Sequence, residues 1–267
     1  MAEELSFRTE AAAEYDRAFG RVSAHFLPFL LSAARLAPGQ HVLDVATGTG
    51  ISAEGALDVV GPGGFVLATD ISPEMLDRAR PRLTRFSNTA LAVEDGQALT
   101  LPDASFDAVT CALGLMFFPD PAQGLAGFYR VLRPGGRAAV SVKIASERSY
   151  NFRINVVIAR YRPNLAEAVA RLFSLGEEAR LKSLFDAAGF VDFESSTARH
   201  TFVLSSFDAY YGPFERGGAS TGQWLRQLSD TERHSVREEM RRVLGDTGGP
   251  IAIEVEHRIA SGQREPI

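Results

Sequence analysis

The fold of this chain is decided by residues 41–51, which read His41-Val42-Leu43-Asp44-Val45-Ala46-Thr47-Gly48-Thr49-Gly50-Ile51. The first five residues suit a strand that is buried on both faces and carries Asp44 near its carboxyl end. A loop of small residues comes next, followed by an amphipathic helix with Ile51 and Leu57 on its apolar face. Such a strand, loop and helix open an α/β sheet, and these sheets bind ligands outside the carboxyl ends of their strands.

The loop has the composition of a ligand-binding turn. Gly48 and Gly50 carry no side chain, so the backbone there is able to come close to a bound molecule. The helix that follows presents free N–H groups, which favour an anionic group. Nicotinamide, flavin and S-adenosylmethionine enzymes all use such a glycine loop, so the loop alone leaves the cofactor open.

The composition is that of an ordinary globular protein. Of the 267 residues, 45% are hydrophobic and 23% are charged, and the formal net charge is −5, which argues against a dedicated nucleic-acid surface. Cys111 is the single cysteine, which excludes an intrachain disulfide and a cysteine-based metal cluster. No apolar run reaches the roughly 20 residues that cross a bilayer, and no secretory signal is evident. We therefore expect a cytoplasmic monomer or homodimer with no metal, membrane span or nucleic-acid partner.

Strands and helices alternate through residues 41–144. The predicted strands cover residues 41–46, 65–69, 89–94, 106–112 and 137–144. Ser72-Pro73 and Asp120-Pro121 each combine a capping side chain with a first-turn proline, and they mark the starts of two intervening helices. Strands that alternate with helices of about a dozen residues predict a parallel, doubly wound sheet.

The alternation changes after residue 144. Two segments rich in aromatic residues, 146–175 and 200–225, flank a sixth predicted strand near 190–198. A capping box at residues 229–232 starts a last helix, and residues 251–260 alternate like a last strand. We predict a single domain over residues 1–267. Its parts are an N-terminal helical lid (1–37), a cofactor-binding core (38–144), insertions that form a substrate cap around the sixth strand (145–225), and the last helix and strand (226–267).

Five motifs occur in a fixed order along the core. They are Leu43-Asp44-Val45-Ala46-Thr47-Gly48-Thr49-Gly50, Thr69-Asp70-Ile71-Ser72, Glu94-Asp95-Gly96, Phe106-Asp107-Ala108-Val109 and Leu132-Arg133-Pro134-Gly135-Gly136. In this order they resemble the class I S-adenosylmethionine-dependent methyltransferases, and most closely the small-molecule branch with the ubiquinone/menaquinone C-methyltransferases. The resemblance implies a Rossmann-like α/β fold with a seven-stranded sheet whose last strand is antiparallel. It also implies S-adenosyl-L-methionine as cofactor and a small molecule as methyl acceptor.

The resemblance further implies which residues meet the cofactor. Asp44 would lie near the ammonium end of the methionine portion, Asp70 would bind both ribose hydroxyls, and Asp95 would contact the adenine amino group. The implied cofactor-binding set is Asp44, Ala46, Thr47, Gly48, Gly50, Asp70, Ile71, Met75, Asp95, Gly96, Gln97, Ala112 and Leu113. One position departs from the family, because its first motif glycine is Ala46 here. Alanine fits that position if its φ angle is negative.

Methyl transfer requires alignment of the acceptor with the methyl group more than acid–base catalysis, because a sulfonium methyl is already activated. A phenol, enol or carbon acceptor can also need a base. The candidates are His25, His200, Tyr15 and Tyr150, which lie in segments predicted to cap the sheet. His257 lies on a predicted strand and is interpreted as structural.

The aromatic residues of the insertions favour an apolar or planar acceptor. Pockets for small molecules are mostly apolar, and we expect about half of six such residues to line one. The six are Tyr150, Phe152, Tyr161, Tyr210, Tyr211 and Phe214. No Asp/Asn-Pro-Pro-Tyr/Phe motif follows the fourth strand, where amino-directed nucleic-acid and glutamine methyltransferases carry it. The sequence therefore favours a small acceptor of the quinone-precursor or secondary-metabolite type.

Two other functions are compatible with a glycine loop. A nicotinamide-dependent oxidoreductase would want a third glycine at position 53, which is Ala53, and neither Lys143 nor Lys182 completes a Tyr-x-x-x-Lys pair. A non-catalytic protein that keeps the fold for another ligand is the second alternative. The intact acidic residues of the first three motifs argue against it.

Overall fold

The computed structural model describes residues 14–144 and 147–267, and strand pairing within them gives one seven-stranded sheet. The strands are β1 (His41–Val45), β2 (Phe65–Asp70), β3 (Thr89–Val93), β4 (Phe106–Ala112), β5 (Leu132–Lys143), β6 (Val191–Leu204) and β7 (Ile251–Gln263). Their order is β3-β2-β1-β4-β5-β7-β6. The pairs of β1 to β5 are parallel, while β7 is antiparallel to both β5 and β6. This confirms the predicted Rossmann-like sheet with its antiparallel last strand.

Helices cover the sheet on both faces. They are α1 (Arg21–Ala33), α2 (Ile51–Val60), α3 (Pro73–Leu83), α4 (Pro121–Val131), α5 (Phe152–Tyr161), α6 (Ala166–Arg171), α7 (Glu178–Ala187), α8 (Phe207–Glu215), α9 (Ala219–Arg226) and α10 (Asp230–Val243). Val42 packs in a cluster with α1 and α2, while Leu43 and Val45 pack in a cluster with α4 and α7. Successive side chains of a strand point to opposite faces, so β1 is buried on both sides as its sequence predicts.

The predicted helix starts are confirmed by their caps. The Ser72 hydroxyl accepts a hydrogen bond from the backbone N–H of Met75, and the Asp120 carboxylate accepts from the two N–H groups that follow Pro121. Ser229 and Glu232 form the predicted capping box of α10. These side chains satisfy N–H groups that a helix leaves free at its first turn.

Two strand boundaries differ from the predictions. β5 begins at Leu132 rather than at residue 137. Leu132 pairs with Phe106 of β4 and Arg137 pairs with Ala108, so residues 133–136 form a bulge within the strand. β6 runs to Leu204, where a strand ending at residue 198 was predicted. β7 offers it a partner along its whole length, and residues 199–204 therefore belong to the sheet and not to an insertion.

The two aromatic insertions fold into helices that pack over β5, β6 and β7. The first provides α5 and α6 and the second provides α8 and α9, and they share one hydrophobic cluster with α1 and α10. Within it, the Tyr150 ring makes edge-to-face contacts with Phe19 and Tyr210 at centroid distances of 5.5 Å and 5.3 Å. Residues 1–13 of the predicted lid and residues 145–146 of the first insertion lie outside the described residues. No helix in the described part of the chain has the length and apolar character to cross a membrane.

The hydrogen bond between Tyr210 and Tyr150 is one of the buried hydrogen bonds that join the two insertions, and Tyr210→Phe removes it. The Tyr210 hydroxyl donates to the backbone carbonyl of Tyr150 over 2.7 Å, and both side chains are buried. We expect the variant to lose about 1–3 kcal/mol of unfolding free energy, because a buried acceptor loses its donor. Urea unfolding followed by circular dichroism measures this loss.

The matched control is Tyr211→Phe. It deletes the same hydroxyl from the next residue of α8, where no hydrogen bond of that hydroxyl is found among the described residues. Equal losses of stability in the two variants would contradict the assigned role of the Tyr210 hydroxyl.

Candidate functional site

A buried carboxylate at the end of β1 organises the site. Asp44 is fully buried, and its Oδ1 accepts hydrogen bonds from the hydroxyls of Ser52 on α2 and Thr110 on β4, the latter over 2.7 Å. Its other oxygen, Oδ2, is buried without a partner that meets hydrogen-bond geometry in the described part of the chain. Burial raises the pKa of this carboxyl, and the Ser52 hydrogen bond partly opposes the rise. The Thr47 side chain also lowers this pKa, so the second oxygen of Asp44 has only an imperfectly aligned neighbour at the carboxyl end of β1.

The loop after β1 turns through three left-handed residues. Gly48 and Gly50 have φ angles of +57° and +83°, which glycine adopts without strain. Ala46 has a φ of +56°, so the expectation of a negative angle at this position is wrong. The left-handed conformation costs an L-residue about 1–2 kcal/mol. Gly114 accommodates this backbone, because a Cβ atom there would lie only 2.6 Å from the Cβ of Ala46.

A second carboxylate, Asp70 at the end of β2, is tied to the same loop. Its Oδ2 accepts from the backbone N–H of Gly48 over 2.8 Å, and its Oδ1 accepts from that of Ser72 over 2.9 Å. Burial raises its pKa, while these backbone hydrogen bonds lower it. Ile71 beside it is 65% exposed, and Met75 is buried under the first turn of α3. An exposed apolar side chain beside a carboxylate suits a ligand with both an apolar face and hydroxyl groups.

The third motif follows β3 and lies beside the loop. Asp95 accepts from the backbone N–H of Gln97 over 2.9 Å, and the Gln97 side chain accepts from the N–H of Asp120. Gly96 is pressed against Phe118 and Val45, where a Cβ atom would lie 2.9 Å from a Val45 methyl carbon. The structure thus places the third motif next to the end of β1, as the predicted site requires.

A cavity lies outside the carboxyl ends of β1, β4 and β5, under the N-terminal helix. Six of the predicted site residues line it: Tyr15, Ala46, Thr47, Gly48, Ala112 and Leu113. Nine further lining residues are absent from the sequence prediction: Ser23, Phe26, Leu27, Leu30, Thr49, Ile51, Ser52, Ser141 and His257. The carboxylates of Asp70 and Asp95 lie outside this lining. The cavity is therefore apolar on the α1 side and polar on the loop side.

The N-terminal segment is attached to the loop by one ionic cluster. Asp16 accepts from the Thr49 hydroxyl over 2.5 Å and from the Arg82 guanidinium over 3.1 Å. Arg82 also donates to the backbone carbonyl of Thr49 and to Glu54 on α2. Loop, α2, α3 and the approach to α1 are thereby held together through two partly exposed side chains, Asp16 and Arg82.

The structure does not bring the four predicted bases together. His25 on α1 and His200 on β6 stack on each other at a centroid distance of 3.8 Å, and neither lines the cavity. His200 belongs to a strand and not to the predicted insertion, because β6 is longer than predicted. Burial, and then the charge of His200, lowers the pKa of His25. This histidine pair joins the lid helix to the sheet and has no contact with the cavity.

The two tyrosines of the set differ in position, but burial raises the pKa of both. Tyr15 lines the cavity, but burial raises its pKa to about 12. Tyr150 is part of the aromatic cluster, and burial also raises its pKa to about 12. None of the six insertion aromatics lines this cavity, which corrects the expectation for half of them. They pack on one another because α5, α6, α8 and α9 need a core of their own.

The structure reveals a polar pair that sequence reasoning missed. Lys143 and His257 lie directly opposite each other on β5 and β7, and both are buried. Burial lowers the pKa of Lys143 to about 8 and, together with the lysine charge, that of His257 to about 3. A signal was present in the sequence, because Lys143 is one of only two lysines and follows Val142 near the end of a largely apolar run that starts at Ala138.

Comparison with known proteins identifies the family. The model of the methyltransferase domain family matches residues 43–140. A ubiquinone/menaquinone biosynthesis C-methyltransferase of Cellvibrio japonicus is 33% identical over 181 residues, which are 62% of this chain and 73% of the relative. The chain belongs to the class I S-adenosylmethionine-dependent methyltransferases. The oxidoreductase and the non-catalytic binding protein are not favoured by this finding.

Two further comparisons place this methyltransferase among its relatives. An uncharacterised protein of Mycobacterium tuberculosis is 32% identical over 238 residues, which are 85% of this chain and 84% of that protein. The phosphoethanolamine N-methyltransferase 2 of Haemonchus contortus, in complex with S-adenosyl-L-methionine, superposes with a TM-score of 0.60 at 17% identity. The superposition covers 99% of this chain and 59% of that protein, and it bears on the fold alone.

S-adenosyl-L-methionine is the cofactor of the methyltransferase, and it supplies an activated methyl group when bound. The residues that hold it stay a prediction, and two polar atoms fit that prediction, one on Thr47 in the cavity wall and one on Asp44 behind it. Asp44 Oδ2 and the Thr47 hydroxyl both lack a partner of good hydrogen-bond geometry within the described residues, and Thr47 is close enough to the carboxylate to lower its pKa. An ammonium group has three donors and no acceptor, so it complements this oxygen of Asp44.

The strained loop residue gives a test of the backbone geometry. Ala46→Gly should raise the unfolding free energy by up to about 1 kcal/mol, because relief of left-handed strain exceeds the gain in unfolded-state entropy. Ala112→Gly makes the same chemical change at the end of β4, where φ is negative. It should lower the unfolding free energy by about 0.5–1 kcal/mol. Urea unfolding of both variants measures the two shifts, and shifts of equal sign would contradict the geometry at Ala46.

The role of Asp70 is tested by cofactor affinity. Asp70→Ala should weaken S-adenosyl-L-methionine binding by about 1.5–3 kcal/mol, because hydrogen bonds to a charged group are lost. Isothermal titration calorimetry gives the dissociation constant. The control is Asp107→Ala, which removes a carboxylate that accepts from the His41 N–H over 2.8 Å at the opposite end of β1. A folded Asp70 variant with unchanged affinity would refute the assignment.

Proposed function

We propose that this methyltransferase transfers a methyl group by in-line displacement to a small, largely apolar organic acceptor, of the quinone-precursor or secondary-metabolite type. The observation that carries the proposal is that one part of the cavity wall is apolar and another part is polar. Phe26, Leu27 and Leu30 of α1 face the loop residues across it. An acceptor on the apolar side would meet a methyl donor held on the polar side, and such alignment supplies a large part of the rate of a displacement.

The relatives support a quinone-like acceptor. The Cellvibrio japonicus relative is named for C-methylation in ubiquinone and menaquinone biosynthesis. A planar, apolar ring of that kind suits the aliphatic and aromatic side chains that α1 presents to the cavity. The net charge of −5 supports a small acceptor over a nucleic acid, because a polymer of phosphates calls for a basic groove.

The proposal is tested by following the methyl group. The enzyme is incubated with S-adenosyl-L-methionine labelled in the methyl carbon and with an extract of its own cells that is separated into nucleic acid, protein and low-mass organic fractions. Label is expected in the low-mass organic fraction, in a compound that partitions into an apolar solvent. The Asp70→Ala variant serves as the control, with transfer reduced at sub-saturating cofactor. Label found only in the nucleic acid or protein fraction would contradict the proposal.

We also propose that the described part of the predicted lid, from Tyr15 through α1, closes the site over the cofactor. The supporting contacts are the hydrogen bonds of Asp16 to Thr49 and Arg82. Because these contacts join the lid to the loop, a ligand held by the loop is enclosed more firmly when they are intact. Partly exposed ion pairs contribute about 0.2–1 kcal/mol each, so the effect on affinity is modest.

The lid proposal predicts a measurable change in cofactor affinity. Asp16→Asn should raise the dissociation constant for S-adenosyl-L-methionine about two- to fivefold, which corresponds to that free energy. Asp58→Asn removes a carboxylate from the exposed side of α2 and should leave the constant unchanged. Calorimetry gives the dissociation constant of both variants. Equal constants would mean that the lid does not assist cofactor binding.

A further inference from the structure

Lys143 is a buried cation without a counter-ion. It is 5% exposed, and its Nζ atom lies 5.4 Å from the centre of the Phe19 ring. Its single hydrogen bond in the described residues goes to the side-chain oxygen of Asn151 over 3.1 Å, and no carboxylate there forms an ion pair with it. An ammonium group has three hydrogens to donate, so two of them lack an acceptor. Burial of an unpaired charge destabilises a fold unless another group compensates it.

The ammonium group sits beside the cavity of the methyltransferase. Lys143 pairs with His257 across β5 and β7, so the two side chains project from the same face of the sheet. Ser141 precedes Lys143 by two residues and projects from that face as well. Ser141 and His257 both line the cavity, as do the loop residues Ala46 and Gly48, whereas Lys143 itself is not among the lining residues. The lysine therefore lies directly behind the cavity wall, next to His257, and an anion in the cavity would reach it past that side chain.

His257 supplies a second unpaired group beside the lysine. It is 2% exposed, and its Nδ1 atom has no hydrogen-bond partner within the described residues. Its lowered pKa keeps the ring neutral at pH 7, whereas the ammonium form of Lys143 predominates there. A neutral imidazole donates through one nitrogen and accepts through the other. The pair is thus one cation and one neutral group able to donate or accept a hydrogen bond.

A chain of hydrogen bonds fixes the position of the lysine from the cap side. Asn151 donates to the Thr221 hydroxyl over 2.7 Å, and that hydroxyl donates to the side-chain oxygen of Asn155 over 2.7 Å. All three residues are fully buried. The Asn151 amide is therefore oriented with its oxygen toward Lys143. The network holds the ammonium group in place without neutralising it.

We propose that Lys143, assisted by His257, binds the ionised oxygen of the methyl acceptor, which is a phenolate or an enolate. This inference rests on the proposed function, since it assigns the acceptor to the same cavity. The anion provides the missing counter-charge for the lysine and accepts the unused ammonium hydrogens. The apolar side chains of α1 would then contact the remainder of the acceptor.

The charges balance in the transfer. The electron pair of the phenolate or enolate forms the new bond to the methyl carbon while the carbon–sulfur bond breaks, and the pair of that bond stays on sulfur as a neutral thioether. The sulfonium charge and the acceptor charge disappear together, and Lys143 keeps its proton. An acceptor that arrives as a neutral acid releases its proton to solvent on binding. Lys143 is thus a binding group that stabilises the ionised acceptor. Transfer to oxygen, or to the carbon of an enolate, needs no separate base. Transfer to a ring carbon of a phenolate gives a neutral cyclohexadienone, whose ring hydrogen is then lost to solvent while the oxygen takes up a proton.

The test uses 4-nitrophenol as the probe, because its ionised form has a distinct absorption band. Its binding is measured at a pH one unit below its own pKa and compared with that of 4-nitroanisole, which has the same ring and a blocked oxygen. Both titrations contain saturating S-adenosylhomocysteine. The wild type should increase the phenolate band and bind the phenol about tenfold or more tightly than the anisole, the size expected for one hydrogen bond to a charged group.

Two variants locate the effect. Lys143→Met should bind both probes alike and leave the phenolate band unchanged. Lys182→Met is the matched control, because this exposed lysine of α7 pairs with Asp186, and it should behave as the wild type does. Thermal unfolding should show a higher Tm for Lys143→Met, since an unpaired buried charge has been removed, and this also verifies that the variant is folded. Phenolate stabilisation that persists in Lys143→Met, or its absence from the wild type, overturns the proposal.

The outcome is separable from that of the proposed function. Label could be transferred to a low-mass compound while probe binding is the same in Lys143→Met and the wild type. That result would support the proposed methyl transfer, but with a neutral acceptor. Phenolate binding at Lys143 without any transfer of label would leave the anion site standing and remove the proposed acceptor class. Cofactor affinity, measured by calorimetry, should be equal in Lys143→Met and the wild type.

Discussion

The site depends on one buried carboxylate that joins three elements. Asp44 ends β1, its Oδ1 is held by Ser52 of α2 and Thr110 of β4, and its backbone carbonyl accepts from Thr69 of β2 over 3.2 Å. This network fixes the point at which the loop leaves the sheet, where the strand order reverses between β1 and β4. Within the described residues the other oxygen has no hydrogen bond of good geometry, and the Thr47 side chain is close by, so a donor group on a ligand would stabilise it. The Asp44 side chain therefore contributes both to the stability of the fold and to the binding site.

The strands and helices of the core could be predicted because local signals there agree with the tertiary structure. The β1 sequence alternates between two buried clusters, and Ser72 and Asp120 cap their helices as their positions indicate. The loop, its glycines and the carboxylates follow the strand ends directly, so their places in the fold follow from the order of the motifs. Where local preference and packing agree, a single sequence is enough to locate an element.

The parts that escaped prediction depend on contacts between distant residues. Residues 199–204 pair with β7, which lies about fifty residues further along the chain, and nothing in their own pattern reveals this partner. His257 reads as an ordinary strand residue until its pairing with Lys143 is known. The left-handed backbone of Ala46 is likewise set by its surroundings, with Gly114 making the necessary space. The same holds for the insertion aromatics, whose packing against one another is decided by helices from both segments.

The antiparallel insertion of β7 between β5 and β6 has a consequence for synthesis of the protein. Among the strands of the described residues, β6 pairs with β7 alone, and β7 follows it about fifty residues later. During translation, residues 191–204 are made before residues 251–263. Both edges of β6 therefore remain unpaired until β7 emerges from the ribosome. An unpaired edge is a site at which another chain can add. Chaperone protection or fast closure by β7 matters most in this interval, and the histidine that completes the cavity wall arrives only at its end.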